Sequence, residues 1–256
     1  MIQFQNYSLA LIFWCSVVVV VISCEVGRRL GAHALRKGGG NVAILEGAIL
    51  GLLSLMIGFT FALSLSLYET RRDAVLKDAN AIGTTALRAQ LLPAPYGAEV
   101  LKLLHEYTRV RLDITTRVIS ASALDDAIAR SNAINTALWE EVKAIASRDN
   151  AIVPTGLFIQ TLNDMIDMNE TRLTAWRNHI PNIVLWALYG IAIVSSAFTG
   201  YSSGLDSRRS RLPVYVVGIS FVAAILLIQD LDRPNDGFVK ISQQPIIDTA
   251  AGLGGD

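Results

Sequence analysis

From Gly47 to Tyr68 the chain carries no charged side chain. At about 1.5 Å per residue, an uncharged helix of this length crosses a hydrocarbon core of about 30 Å. The span is not uniformly greasy. Spacings of three and four residues put Gly47, Gly51, Ser54, Gly58 and Ala62 on one helical face, and Thr60 and Ser64 on another. A smooth stripe of small residues suits a helix that packs on other helices or lines a path.

No helix breaker follows the span. Val75, Leu76, Ala79, Ile82, Ala86, Leu87 and Leu91 keep helical spacing until Pro93 and Pro95 stop it. The pattern predicts one helix of about 45 residues, apolar in its first half and amphipathic in its second.

Three further spans are predicted, over 9–24, 180–201 and 214–229. The first resembles a signal peptide in length. However, the residues before it carry no positive charge, and no small-x-small site follows. Gly38 to Gly40 mark a flexible link into the second span. Cys15 and Cys24 lie about two and a half turns apart on one helix, too far for a disulfide. Composition agrees with a membrane protein: 52% of residues are hydrophobic, 17% are charged and mean hydropathy is +0.43. The formal net charge is zero, without the basic excess of a nucleic-acid binder.

Between the second and third spans, amphipathic patterns predict helices over 96–120, 124–147 and 155–179, with no strand alternation and no repeat. The expected fold is all-α: four transmembrane helices, with an extramembrane helical bundle inserted between spans two and three. The corresponding division is 1–68, a span hairpin; 69–179, the helical domain; 180–231, a second hairpin; and 232–256, a tail. The two short hairpins carry Arg28, Arg29, Arg36, Lys37, Arg208, Arg209 and Arg211. By the positive-inside rule they are cytoplasmic, and the helical domain is outside.

Catalytic chemistry finds no foothold in these patterns. His33, His105 and His179 are far apart, with neither HExxH nor Cys-x-x-Cys company, and there is no phosphate loop or G-x-S-x-G. Asp164, Asp167 and Glu170 share a helical face, read as a solvated acidic surface balanced in part by Arg172. Asp230, Asp232 and Asp236, in a loop with Pro234 and Gly237, are the candidate cation loop. Ca²⁺ is the ion such oxygens would take, and a structural cap with Arg233 is the competing reading. No motif calls for another cofactor.

Gly51, Leu55 and Phe59, spaced by four, form a ridge. Around an oligomer axis this ridge makes an apolar ring that gates by dewetting. Gly47 and Gly58 would let helices approach closely, and packing within one protomer is the plainer account of these glycines.

The run Leu50-Gly51-Leu52-Leu53-Ser54-Leu55-Met56-Ile57-Gly58-Phe59, followed by Tyr68-Glu69-Thr70-Arg71-Arg72, resembles the second span of bacterial bestrophins. A wider set of residues is similar to a family of bacterial bestrophin-like membrane proteins. It comprises 77–84, Leu91-Leu92-Pro93, Leu231-Asp232-Arg233-Pro234, Gly237-Phe238 and Gln243-Gln244-Pro245. The resemblance implies a pentameric, inner-membrane ion channel, chloride-conducting by preference, whose neck positions are Gly51, Leu55 and Phe59. Gly51 stands where the bestrophin neck has a bulky residue. The acidic loop after the last span corresponds to Asp230, Asp232 and Asp236, without the dense acidic run of the animal members. It also implies a cytoplasmic helical domain, opposite to the charge count. The expected partners are the lipid bilayer, further copies of the chain and inorganic ions. The alternative function is a non-conducting membrane sensor or scaffold whose helical domain binds a partner.

Overall fold

A computed structural model describes residues 4, 7–38, 42–116, 121–148, 152–206, 211–233 and 237–253. Among them every regular element is helical: α1 Leu9–Arg36, α2 Ala43–Ala89, α3 Tyr96–Thr116, α4 Ala121–Ala146, α5 Leu157–Arg177, α6 Asn182–Gly204, α7 Leu212–Leu231 and α8 Gln244–Leu253. Four segments are long and apolar enough to span a membrane, and they contain α1, the first part of α2, α6 and α7. The chain is therefore an all-helical multi-pass membrane protein.

Local chemistry sets the helix ends. The Ser8 hydroxyl accepts the Leu11 N–H and starts α1. Since nothing breaks that helix before Gly38, it continues three turns past the predicted end at Cys24. Gly38 itself takes a positive φ of 77°. Pro181 stands at the N-cap of α6, and Pro213 in the first turn of α7, where a missing N–H costs little. The 47-residue α2 is unbroken, as the absence of proline predicts.

The chain forms two compact units, 1–68 with 179–240 and 69–178 with 241–256. The last residues do not stand apart as a separate tail. Those to Lys240 fold with the spans, and α8, which the sequence pattern did not suggest, belongs to the second unit.

In the first unit, α1 and α6 pack backbone to backbone. A Cβ added to Gly27, Gly31, Gly200 or Gly204 would overlap the carbonyl oxygen of Ala197, Tyr201, Cys24 or Arg28, respectively. Two small-x-x-x-small pairs thus interlock, a device suited to lipid, where close van der Waals contact replaces the hydrophobic drive. A buried cluster of Leu53, Leu185, Leu188, Ala192, Ile225 and Ile228 ties α2, α6 and α7 together.

In the second unit, the amphipathic faces bury Ile82, Val100, Leu104, Leu138, Ile145, Phe158, Leu162 and Met165. The Arg71 guanidinium caps the end of α5 by donating to the carbonyls of Ala175 (3.3 Å) and Asn178.

Candidate functional site

Which face of α2 is held, and which is left open, follows from its partners in the first unit. Leu53 is fully buried, and Met56 and Ile57 pack on the same cluster. Below them, Thr60 donates to the carbonyl of Met56 at 2.8 Å, and Ser64 donates to that of Ile228 on α7 at 2.8 Å. The hydroxyl face is therefore the packed one. A buried hydroxyl without a partner would be costly in lipid, and both are satisfied.

The ridge lies on the other side. Leu55 is 55% exposed, Phe59 is 70% exposed, and Gly51 is open as well. A Cβ on Gly47, Gly51 or Gly58 would meet no heavy atom within 4 Å. Among the described residues of one protomer, then, these three glycines make no close contact with another helix. Close helix contacts are made instead by Gly27, Gly31, Gly200 and Gly204 on α1 and α6, whose four-residue spacing in the sequence was the signal for them, and by Gly218 of α7 against Val20.

The loop after α7 is organised by its carboxylates. Asp230 accepts the Phe238 N–H on Oδ1 (2.6 Å) and the Val239 N–H on Oδ2 (3.0 Å). Gly237 lets the loop close, because a Cβ there would lie 2.7 Å from Asp230 Oδ1. Asp232 accepts the Ile180 N–H at 3.2 Å, with His179 Nδ1 3.4 Å from its other oxygen. Arg233 donates to the carbonyls of Tyr7 (2.7 Å) and Phe4. Asp236 lies outside the described residues. Both oxygens of Asp230 and one of Asp232 thus accept backbone N–H groups. Among the described residues, no group of three His, Cys, Asp or Glu is placed to hold a metal.

The second unit contains a charged centre that residue spacing did not disclose. Asp78 on α2 is fully buried, and its Oδ2 receives Arg111 from α3 at 3.0 Å and Arg172 from α5 at 2.6 Å. Arg172 also donates to the side-chain carbonyl of Gln243 at 3.0 Å. Arg172 therefore does not balance the exposed Asp164, Asp167 and Glu170 on the helix surface. Burial pulls its guanidinium below the ordinary value, and the neighbouring Arg111 acts in the same direction. Tyr107 lies under Arg111, its ring centre 5.5 Å from the guanidinium carbon, with a buried hydroxyl that finds no hydrogen-bond partner among the described residues. Burial pushes that phenol up to about 12. His105 lines an open cleft of about 790 Å³ in the same unit, with Lys102 and Arg109.

Asp78, Asp232, Arg233 and Gln243 all belong to the stretches that carry the family resemblance, and all four make structural ties. The Bestrophin-like domain model matches residues 14–246. No curated protein matches the chain. A bacterial bestrophin homologue from Klebsiella pneumoniae shares its fold, with a TM-score of 0.69 at 12% identity, covering 96% of this chain and 97% of that one. A single-substitution variant of that homologue gives a TM-score of 0.70 at 13% identity, covering 96% and 98%.

Proposed function

This chain belongs to the bestrophin-like family, and on that footing we propose that it is an oligomeric ion channel of the inner membrane whose second span lines the pore. One observation carries the reading: α2 is anchored through Leu53 and Ser64, while Leu55 and Phe59 on its other side are left without cover. Several copies around an axis would turn that ridge into stacked apolar rings. An apolar ring of this kind opens and closes by wetting, and needs no charged side chain to do so. The open glycines suit close approach between the second spans of neighbouring copies.

We propose chloride as the favoured ion and five as the number of copies, both resting on the family resemblance. A monovalent anion gives up hydration more readily than a hard divalent cation, which suits a passage without polar ligands.

The test is purified protein in chloride-loaded liposomes. Flux above that of empty liposomes is expected, and Phe59→Ala should raise it by opening the narrowest ring. Flux equal to empty liposomes overturns the proposal. So does a monomer in detergent and in nanodiscs, because one such helix encloses nothing.

A further inference from the structure

The close approach of α1 to α6 has a second consequence, on the outer surface of the first unit. At this crossing the backbone of Gly27 lies against Ala197, so no side chain fills the middle. Val26 and Leu30 from α1 and Phe198 and Tyr201 from α6 stand around the gap. They enclose an open apolar groove of about 390 Å³, with Val42 at one end. The groove lies on two of the helices long and apolar enough to cross a membrane, on the turns of α1 that follow the apolar run ending at Cys24.

Along α1 the groove leads to cations. Val26, Leu30, His33 and Lys37 follow one another at spacings of four, three and four, which keeps them on one face. Arg29 and Arg36, seven residues apart, flank that line. Arg29, His33, Arg36 and Lys37 are all exposed. The segment from Glu25 to Lys37 holds four Arg or Lys side chains against one acid, a net charge of +3 with His33 neutral. That acid is largely engaged elsewhere. Glu25 accepts two bonds from Arg28, at 2.6 and 3.0 Å, and one from the Tyr215 hydroxyl at 3.1 Å. Arg29 reaches it only at 3.5 Å, while 78% of the Arg29 side chain remains exposed. Beside this apolar groove, α1 therefore carries a cluster of exposed cations.

We propose that this groove binds one acyl chain of an anionic glycerophospholipid, with the headgroup phosphate held by Arg29, Arg36 and Lys37. The occupant is identified by charge complementarity. A neutral lipid satisfies the groove but not the cation cluster, whereas a cation near a membrane surface favours an anionic headgroup by roughly fivefold. The site lies on α1 and α6, away from the α2 ridge, and does not depend on whether the protein conducts.

The experiment uses the full chain, exchanged into neutral detergent with equal phosphatidylglycerol and phosphatidylcholine, and reads bound lipid by native mass spectrometry. The wild-type protein should retain phosphatidylglycerol over phosphatidylcholine by more than about tenfold. The triple variant Arg29→Gln, Arg36→Gln, Lys37→Gln should bind both lipids equally. Val26→Trp, which fills the groove from an exposed position, should lose both. Equal retention by the wild type overturns the proposal without recourse to any variant. An unchanged preference in the triple variant overturns the role of the cation cluster, and unchanged retention in Val26→Trp overturns the groove. If Val26→Trp instead lowers the oligomeric state, the groove belongs to a second copy of the chain and the lipid assignment fails.

Discussion

Gly27, Gly31, Gly200 and Gly204 sit on helices α1 and α6, and Gly47, Gly51 and Gly58 on α2. As sequence they are similar, small residues repeated at short intervals within or just beyond an apolar run. In the folded protomer the first set has a carbonyl oxygen where a side chain would be, and the second set has open space. The difference teaches that a small-residue stripe records a need for proximity without saying what must come near. On α1 and α6 the neighbour is in the same chain. On α2 the packed side is instead the one bearing Leu53, Thr60 and Ser64, and the glycine side is open among the described residues. The charged centre of the second unit belongs with the closed set, since Asp78 too is legible only through what surrounds it.

The strongest way to break this contrast is to add side chains to the closed set. Gly200→Val drives branched carbons into the Cys24 carbonyl, and separating α1 from α6 should cost on the order of 3 kcal/mol or more. The expected result is loss of a monodisperse peak in size-exclusion chromatography. A normal peak would show that the interlock yields.

Of similar size is Asp78→Ala, which removes the carboxylate shared by two buried guanidinium groups. Removing one partner of a buried ion pair costs about 3–5 kcal/mol. Its control is Glu140→Ala, which breaks an exposed pair with Lys143 worth at most about 1 kcal/mol. Thermal unfolding followed by helix circular dichroism should separate the two variants by many degrees. Equal midpoints would remove Asp78 from the closed set.

A smaller effect is expected from Tyr107. Its phenol is raised to about 12 in the folded protein, against about 10 when unfolded. Below pH 10 both states keep the proton and nothing changes. Between pH 10 and 12 the unfolded state loses the proton first, so stability falls with rising pH, by on the order of 2 kcal/mol in total. Tyr107→Phe removes an unpartnered hydroxyl and should flatten this part of the stability profile. An unchanged slope would show that the hydroxyl finds a partner.

The smallest effect on folding should come from the open set. Gly51→Ala meets no atom of another helix within 4 Å among the described residues, and replacing glycine inside a helix even favours the helix by up to about 1 kcal/mol. Protomer stability should be unchanged or slightly higher. Any consequence should appear in oligomeric state or flux. A destabilised protomer would show that α2 is covered from within the chain after all.

The carboxylates at the end of α7 make ties within the first unit. Asp230 with Gly237, and Asp232 with Arg233, close the loop after α7 and fasten the N-terminal segment. Spacing alone fits these carboxylates to ion ligation as well as to the favoured structural cap, because both uses ask for oxygens near a turn. The Asp78 centre was less legible still. Its partners Arg111 and Arg172 stand 33 and 94 positions away in the chain, and each lies on a helix whose surface also carries ordinary charges. Arg172 in particular is indistinguishable by pattern from a residue balancing its acidic neighbours.

What the sequence determined by itself was local and cumulative. The uncharged run from Gly47 to Tyr68, the absence of a breaker before Pro93, and the helical spacing beyond it specify a span that continues as one helix, because hydropathy and helix propagation depend on near neighbours. The same reasoning placed the other spans and the amphipathic helices between them. The tertiary structure alone decided which side of each helix is closed. A glycine or an arginine acquires its role from an atom brought near by the fold, and in α2 that geometry left Leu55 and Phe59 facing outward.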